Sequence, residues 1–380
     1  MTNNMTNLLV HRCTYWKGKL YCITRSHNLL FSVDLQDGKI ELIDVIPERD
    51  ILESYLPGYM SVWNNKLIIS PNKTNKIWIY DFISKYWNSY PIKEYDHWGS
   101  GGIYQVYEYN NKLFLIGGSY PAILCLDLEN NSCEYIEKPY EEVKARHAEI
   151  NYYYFRAHGA RLDNTLYLAS CLDNFVLKFN METFKHQWIK IGDDNFVYSG
   201  IAWDGHNFWI APRSGSDIVK WDGKEKIKKF PLPDNLKQHT GYIWEACYNN
   251  GQIIFPATNH KKSIMINVQN DTFEIYDQQY PLYTRLDNGM VVNQTLDGTL
   301  SVKAENIPEK IFSASIETDQ LMQFYKEKNI KIYKGQTIYY ETLNNPMLSL
   351  DVFLKLSTSD SPQKTDTDNQ IGKTIWENIR

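Results

Sequence analysis

A short unit recurs seven times along the chain, and this periodicity restricts the fold more than any other feature. Each copy reads as a strand, a two-residue turn, an apolar strand, a loop, a third strand ending near Asp or Asn, a second turn and a last strand. The first turns are Lys17-Gly18, Asn64-Asn65, Asn110-Asn111, Asp163-Asn164, Asp204-Gly205, Asn249-Asn250 and Asp287-Asn288. Most of these residues accept the positive φ that tight hairpins require, so each pair marks a hairpin tip. Second turns of the same chemistry follow at Asp37-Gly38, Asn130-Asn131, Asp222-Gly223 and Asn270-Asp271. With the second residue of each first turn as a marker (18, 65, 111, 164, 205, 250, 288), the spacings are 47, 46, 53, 41, 45 and 38 residues. Four strands at roughly 40 to 50 residues are the period of a propeller blade. The fold class expected is all-β, a seven-bladed β-propeller over residues 8–313. A six-bladed ring is the alternative, because the last unit is short and its outer strand around Lys310 to Ser313 is faint. No outer strand is expected before Leu8, so closure would rest on blade packing or on the tail.

Composition agrees with this pattern. Aromatic residues make up 14% of the chain, with 28 Tyr and 11 Trp, side chains that fit half-buried strands. The balance of 40 basic and 45 acidic residues, a net charge of -5, excludes a strongly basic nucleic-acid binder. A mean hydropathy of -0.47, without an apolar run near 18 residues, excludes a membrane-spanning helix. The opening MTNNMTNLLV has neither the basic start nor the apolar stretch of a secretory signal, which gives a cytoplasmic expectation. The six cysteines (Cys13, Cys22, Cys125, Cys133, Cys171, Cys247) show no CxxC and no zinc spacing, and read as reduced, buried small hydrophobes. No metal or cofactor is expected.

Blades two and three resemble kelch repeats. Blade three has Leu115-Ile116-Gly117-Gly118 at the end of its second strand and Leu126-Asp127-Leu128 in its third; blade two has Ile79-Tyr80-Asp81 and then Trp87, echoed in blade four by Asn180 and Trp188. The double glycine occurs in blade three alone. Blade five is similar to a virginiamycin B lyase-type repeat, through Gly200-Ile201-Ala202, Asp204-Gly205, Phe208-Trp209, Ile218, Gly223 and Pro231-Leu232-Pro233. The first likeness implies a propeller. The second implies that lyase chemistry is one use of the fold.

After the seventh unit the pattern changes. Thr318 with Asp319, Leu321, Met322, Phe324 and Tyr325 predicts a helix near 318–328. Asn345-Pro346 opens a second, with Leu348, Val352, Phe353 and Leu356 on its apolar side; residues 329–342 read as strand or helix. A mainly helical extension over 314–356 is expected, then a flexible linker over 357–370. Ile371, Ile375, Trp376 and Ile379 form one face of a short amphipathic segment, 371–380, too short to be helical alone. It either docks on its own propeller, meets another protein, or frays.

Aligning innermost strands by their hairpin tips gives a column six residues before the marker: Arg12, Tyr59, Gln105, His158, Ser199, Trp244 and Leu282. Alternation puts residues two positions earlier, among them Arg156 and Tyr242, on the same side nearer the loop end. The candidate ligand-binding set is therefore Arg12, Tyr59, Gln105, Arg156, His158, Tyr242 and Trp244. Arginine offers a donor fork for carboxylate, phosphate or sulfate, while Tyr and Trp offer flat faces with polar tips. The loops add Asp96-His97-Trp98-Gly99-Ser100-Gly101-Gly102, the run Asn151 to Phe155, and Gln238-His239-Thr240-Gly241. The glycine loop has no phosphate-loop register and reads as a turn; the tyrosine run is either a stacking platform or packing between blades.

The leading expectation is a non-catalytic binding or scaffold propeller that recognises a protein, peptide, or small anionic or sugar-like ligand on its loop face. The competing class is an enzyme, a lyase or a carbohydrate-active propeller, with His158 as base, Arg156 as anion clamp and His239 as a second proton carrier.

Overall fold

In the computed structural model, residues 5–328 are described, apart from 25–27, 48–56, 73, 96–101, 148–152, 157, 214–216, 226, 234–235, 237–244, 257–261, 278–281, 287–289, 296 and 305–306. The chain divides into two units, Asn7–Ser315 and Met1–Thr6 with Ile316–Arg380.

The larger unit is a seven-bladed β-propeller. Seven four-stranded antiparallel sheets follow one another in chain order, each with its strands in sequence from innermost to outermost. The innermost strands are Val10–Trp16, Pro57–Trp63, Ile103–Tyr109, Ala160–Leu162, Tyr198–Trp203, Cys247–Asn249 and Leu282–Arg285. Blade seven is complete, with Ile307–Ser313 as its outer strand, so the six-bladed alternative does not hold.

The hairpin tips fold as their residues dictate. Asn64 and Asn65 (φ 45° and 60°), Asn110 and Asn111 (49° and 58°), and Lys17 with Gly18 (46° and 82°) all take left-handed backbone, the geometry that matches strand twist in a two-residue turn. The second turns are held by one device used repeatedly. The Asp or Asn ending the third strand accepts main-chain N–H bonds from the residues that follow: Asp34 from Gln36, Asp81 from Ile83 and Ser84, Asp127 from Glu129 and Asn130, Asn180 from Glu182 and Thr183, Asp222 from Lys224, and Asn267 from Gln269.

Neighbouring sheets pack face to face through separate apolar clusters. Ile68, Ile77 and Tyr59 of blade two meet Val106, Leu115 and Leu124 of blade three. Phe114 and Ile116 meet Leu166, Leu177 and Phe179 across blades three and four. Trp16 stacks on Phe82 at 4.2 Å between blades one and two. Ring closure uses no shared strand in these sheets. Gln294 of blade seven accepts the Val10 N–H at 2.7 Å and donates to the Leu8 carbonyl at 2.8 Å, while Leu8 N–H reaches Ala314 O at 2.7 Å.

The sequence did not mark helix α1 (Lys138–Arg146), inserted between blades three and four. It accounts for the longest spacing, 53 residues. Pro139 sits in its first turn, where a missing N–H costs nothing. In the smaller unit, helix α2 runs Thr318–Glu327 on the expected segment, burying Thr318, Leu321 and Tyr325, and the Thr6 and Thr318 hydroxyls are 2.9 Å apart. The second expected helix, the linker and the tail residues Ile371, Ile375, Trp376 and Ile379 lie outside the described residues. No helix among the described residues is long and apolar enough to cross a membrane.

Lys85 occupies a tip at φ 55° with an exposed side chain. Left-handed backbone costs a non-glycine residue about 1–2 kcal/mol, and the added freedom of an unfolded glycine costs about 0.5–1 kcal/mol. The first effect is larger, so Lys85→Gly is expected to raise unfolding stability by up to ~1 kcal/mol in urea titration; a loss would contradict this account of the turn.

Candidate functional site

Bulges in the innermost strands determine what faces the channel. Pairing with the second strand slips between Val10 and Arg12, between Pro57 and Tyr59, and between Ile103 and Gln105. An extra residue shifts alternation by one, so Val10 and Ile103 do not simply extend the column of Arg12 and Gln105. Both are fully buried. Tyr104, an extra residue in blade three, stands instead beside the arginines, and alternation alone could not have found it.

Arg12 is partly exposed and donates from Nε to Gly58 O at 2.7 Å. Burial draws its pKa down, opposed by Tyr104 and Glu245. Arg156 lies over the Tyr153 ring, 4.6 Å from its centroid. Tyr104 feels both guanidinium groups, which pull its pKa down, yet burial and Tyr153 push it up to about 12. Its hydroxyl donates to Asn72 Oδ1 at 3.1 Å. A third arginine, Arg213, extends from the end of the second strand of blade five and donates to the Cys171 carbonyl. Burial pushes the Cys171 thiol up to about 11 against the opposing pull of Arg213 and Arg156. Arg12, Arg156 and Arg213 are thus linked through Tyr104 and Cys171, and none of them forms an ion pair with another described residue.

Deeper in the channel, His158 Nδ1 stands 3.9 Å from Glu245 Oε2. Both ring nitrogens and that carboxylate oxygen are buried with no hydrogen-bond partner among the described residues. Buried polar atoms in this condition mark places where water or a ligand group belongs. The Tyr59 ring meets His158 edge-on at 5.3 Å. Gln105 is 1% exposed, and its Oε1 accepts bonds from Gly159 N–H (2.9 Å) and the Tyr107 hydroxyl (2.7 Å). It positions the His158 segment from beneath. Ser199 is buried, donating to Pro212 O at 3.3 Å. Tyr242, Trp244 and His239 lie outside the described residues, as do 96–101 of the glycine loop. Glu245, Arg213 and Tyr104 were not reached by sequence reasoning: Glu245 is one residue beyond the aligned column, and Arg213 sits on a loop without a repeat signal.

The double glycine of blade three has a local cause. A Cβ on Gly118 would stand 2.2 Å from Tyr104 Cδ2 and 2.9 Å from Phe155 O. Gly118 O accepts the Tyr154 N–H at 2.7 Å, and Cys171 N–H reaches Tyr154 O at 2.8 Å, so the strip carrying Arg156 is tied to blades three and four. Helix α1 anchors the chain just before that strip. Arg146 Nε and His147 Nε2 each lie 3.0 Å from Asp173 Oδ2, and the Tyr140 hydroxyl donates to Gly117 O at 3.0 Å. Among the described residues no group of His, Cys, Asp and Glu is arranged to hold a metal ion.

No known family model matches the chain, and no curated protein sequence does. Solved structures do. Virginiamycin B lyase from Staphylococcus aureus superposes with a TM-score of 0.57 at 15% identity over 81% of this chain and 96% of that one. A catalytically inactive variant of that lyase with quinupristin gives 0.55 at 14% identity, over 80% and 94%. PorZ, a surface component of the type-IX secretion system of Porphyromonas gingivalis, gives 0.51 at 10% identity, over 82% and 39%. These likenesses show the propeller fold; none shows kelch membership.

Gly118→Ala is expected to cost about 1–3 kcal/mol, because its methyl overpacks Tyr104; unchanged denaturant unfolding would mean that the contact relaxes freely. Burial opposes ionisation of Asp173, but bonds from Ser170, His147 and Arg146 outweigh it and hold the carboxyl below its usual range. A depressed carboxyl stabilises the fold above its unfolded pKa of about 4 and loses that contribution as pH falls through the folded value. Asp173→Asn is therefore expected to flatten the acid limb of stability against pH below about pH 4 and leave its shape above unchanged.

Proposed function

We propose that the protein is a binding propeller whose loop face captures a small anionic ligand or the acidic end of a partner chain. The observation that carries this reading is the set of three guanidinium groups, Arg12, Arg156 and Arg213, gathered around Tyr104 and Cys171 with no carboxylate at ion-pair distance among the described residues, Glu245 acting on Arg12 from farther off. Planar donor forks in a partly desolvated mouth favour carboxylate, phosphate or sulfate, and Tyr153 supplies a flat wall beside them. The fold suits either a binding module or an enzyme, so the assignment rests on the site. A protein partner engaging through an acidic segment uses the same groups. A cytoplasmic setting is part of the proposal and rests on cysteine usage, all six being free. The kelch-like pattern of blades two and three enters as a likeness in strands and turns.

A second reading is favoured by the half-buried His158–Glu245 pair, whose facing polar atoms have no hydrogen-bond partner among the described residues. There His158 removes a proton from a ligand held by the arginines, and Glu245, 3.9 Å from the ring, stabilises the imidazolium that forms. This is the lyase-type alternative, with Glu245 in support.

The test is to incubate the full-length chain with a metabolite extract from its host, recover it by gel filtration and identify retained compounds by mass spectrometry. Wild type is expected to retain anionic compounds. An arginine hydrogen bond to an anion is worth about 1.5–3 kcal/mol, so Arg156→Ala and Arg213→Ala are each expected to weaken the retained ligand by roughly 10- to 100-fold. Full retention by the double variant would refute the anion site. Conversion of the ligand by wild type but not by His158→Ala, with binding intact in both, would establish the enzyme reading.

A further inference from the structure

Blade one holds two cysteines directly opposite each other. Its innermost strand, Val10–Trp16, runs antiparallel to its second strand, Lys19–Thr24, and the register sets Cys13 against Cys22. The hairpin tip fixes the kind of pair this is. Around the two-residue turn Lys17-Gly18, Trp16 and Lys19 form the closing hydrogen-bonded pair, so alternation makes Tyr15–Leu20 open, Thr14–Tyr21 bonded and Cys13–Cys22 open. Open pairs bring side chains closest, with Cα atoms about 4.5 Å apart, inside the roughly 4.4–6.8 Å that disulfides span. The two thiols already share a side-chain hydrogen bond.

Cys125 and Cys133 also lie on adjacent strands, but they lack this arrangement. Cys125 is opposite Glu134 and Cys133 is opposite Leu126, so their sulfurs project from opposite faces of one sheet into different clusters. In blade one, Tyr21 and Ile23 flank Cys22 and pack in the cluster between blades one and two. Cys22 and the cysteine opposite it therefore turn to the other face, the side of the joint with blade seven. The two thiols differ in surroundings. Burial and the hydrogen bond with Cys13 hold the Cys22 thiol well above the usual thiol range, so Cys22 keeps its proton. Cys13 acts electrostatically on the Arg12 guanidinium, and a thiolate formed there has a cation close by. Cys13 is 3% exposed and Cys22 0%, which limits an oxidant to a molecule about the size of water.

We propose that Cys13 and Cys22 are a reversible redox pair that hydrogen peroxide closes into a cross-strand disulfide. The Cys13 thiolate attacks one peroxide oxygen, the O–O bond breaks, and the departing hydroxide takes up the proton that Cys13 released and leaves as water. Cys13 is then a sulfenic acid. The Cys22 sulfur attacks the Cys13 sulfur, the S–O bond breaks, and the Cys22 proton leaves with the hydroxyl group as a second water. Two electrons pass from the thiol pair to peroxide, and a reducing dithiol reverses the change by exchange. In a reducing compartment such a bond is transient, in keeping with six free thiols in the resting protein. This chemistry needs no ligand at the loop face.

Peptide mapping of the full-length chain tests this. Reduced protein is treated with graded hydrogen peroxide, quenched with catalase, blocked with N-ethylmaleimide in urea and digested with trypsin. Cleavage after Arg12, Lys17, Lys19 and Arg25 puts the two cysteines on separate peptides, 13–17 and 20–25, so their linkage is diagnostic. Wild type is expected to lose these two thiols first, as the linked peptides, and to recover both with dithiothreitol. The closed form should unfold at higher urea than the reduced form, because the cross-link restricts the unfolded chain. Cys22→Ser should leave a sulfenic acid at Cys13 that dimedone traps. Three results would overturn the proposal: no thiol loss from the folded chain, a different cysteine pair closing first, or Cys13 passing to sulfinic acid without linked peptides. Should Cys22→Ser fail to fold, the wild-type map decides by itself.

Discussion

Face-to-face burial of successive sheets is the constraint on which this molecule depends. Each blade offers apolar residues on both faces, and neither face can be left in water, so each sheet needs a neighbour on either side. The clusters joining Ile68 and Ile77 to Leu115 and Leu124, and Phe114 to Leu166 and Phe179, satisfy this requirement blade by blade. Closing the ring leaves the inner strands as the walls of a channel. At the joint of blades seven and one, the Gln294 amide serves Val10 and Leu8 in place of a shared strand.

Within that frame, the candidate site arises from departures from regular strand geometry. Bulges near Arg12, Tyr59 and Gln105 let one residue of each strand leave the ladder and reset which neighbours face inward. At blade three this places Tyr104 among the arginines, with room provided by the missing side chain of Gly118. Helix α1 adds a second level of control. By binding Asp173 through Arg146 and His147, it fixes the chain just before the strip that carries Tyr153, Arg156 and His158.

The channel therefore has different chemistry at its two ends. Positive charge gathers on the loop side around Tyr104 and Cys171, whereas the hairpin side opens a chamber of mixed polarity with both Glu108 and Arg161 on its rim. Between them, His158 and Glu245 keep buried polar atoms without hydrogen-bond partners among the described residues. Leaving such atoms unbonded costs about 1–3 kcal/mol each, a cost that a bound water or ligand group would offset.

Much of the fold was legible from sequence because turn chemistry is local. Asn-Asn and Asp-Gly pairs set hairpin tips, terminal Asp and Asn residues set the second turns, and their spacing alone counted seven blades. Arg12, Arg156 and His158 emerged from the same alignment, since strand period and hairpin position are also local. Helix α1 was missed because its nine residues are largely polar, with Pro139, Tyr140 and Val143 as its buried anchors. Arg213 and Glu245 were missed because nothing in their immediate neighbourhoods distinguishes them. Which side chains meet depends on one-residue bulges, on backbone approaches only a glycine permits, and on loops from different blades converging on one point. These are long-range packing events, so tertiary structure decided the site where sequence had determined the ring.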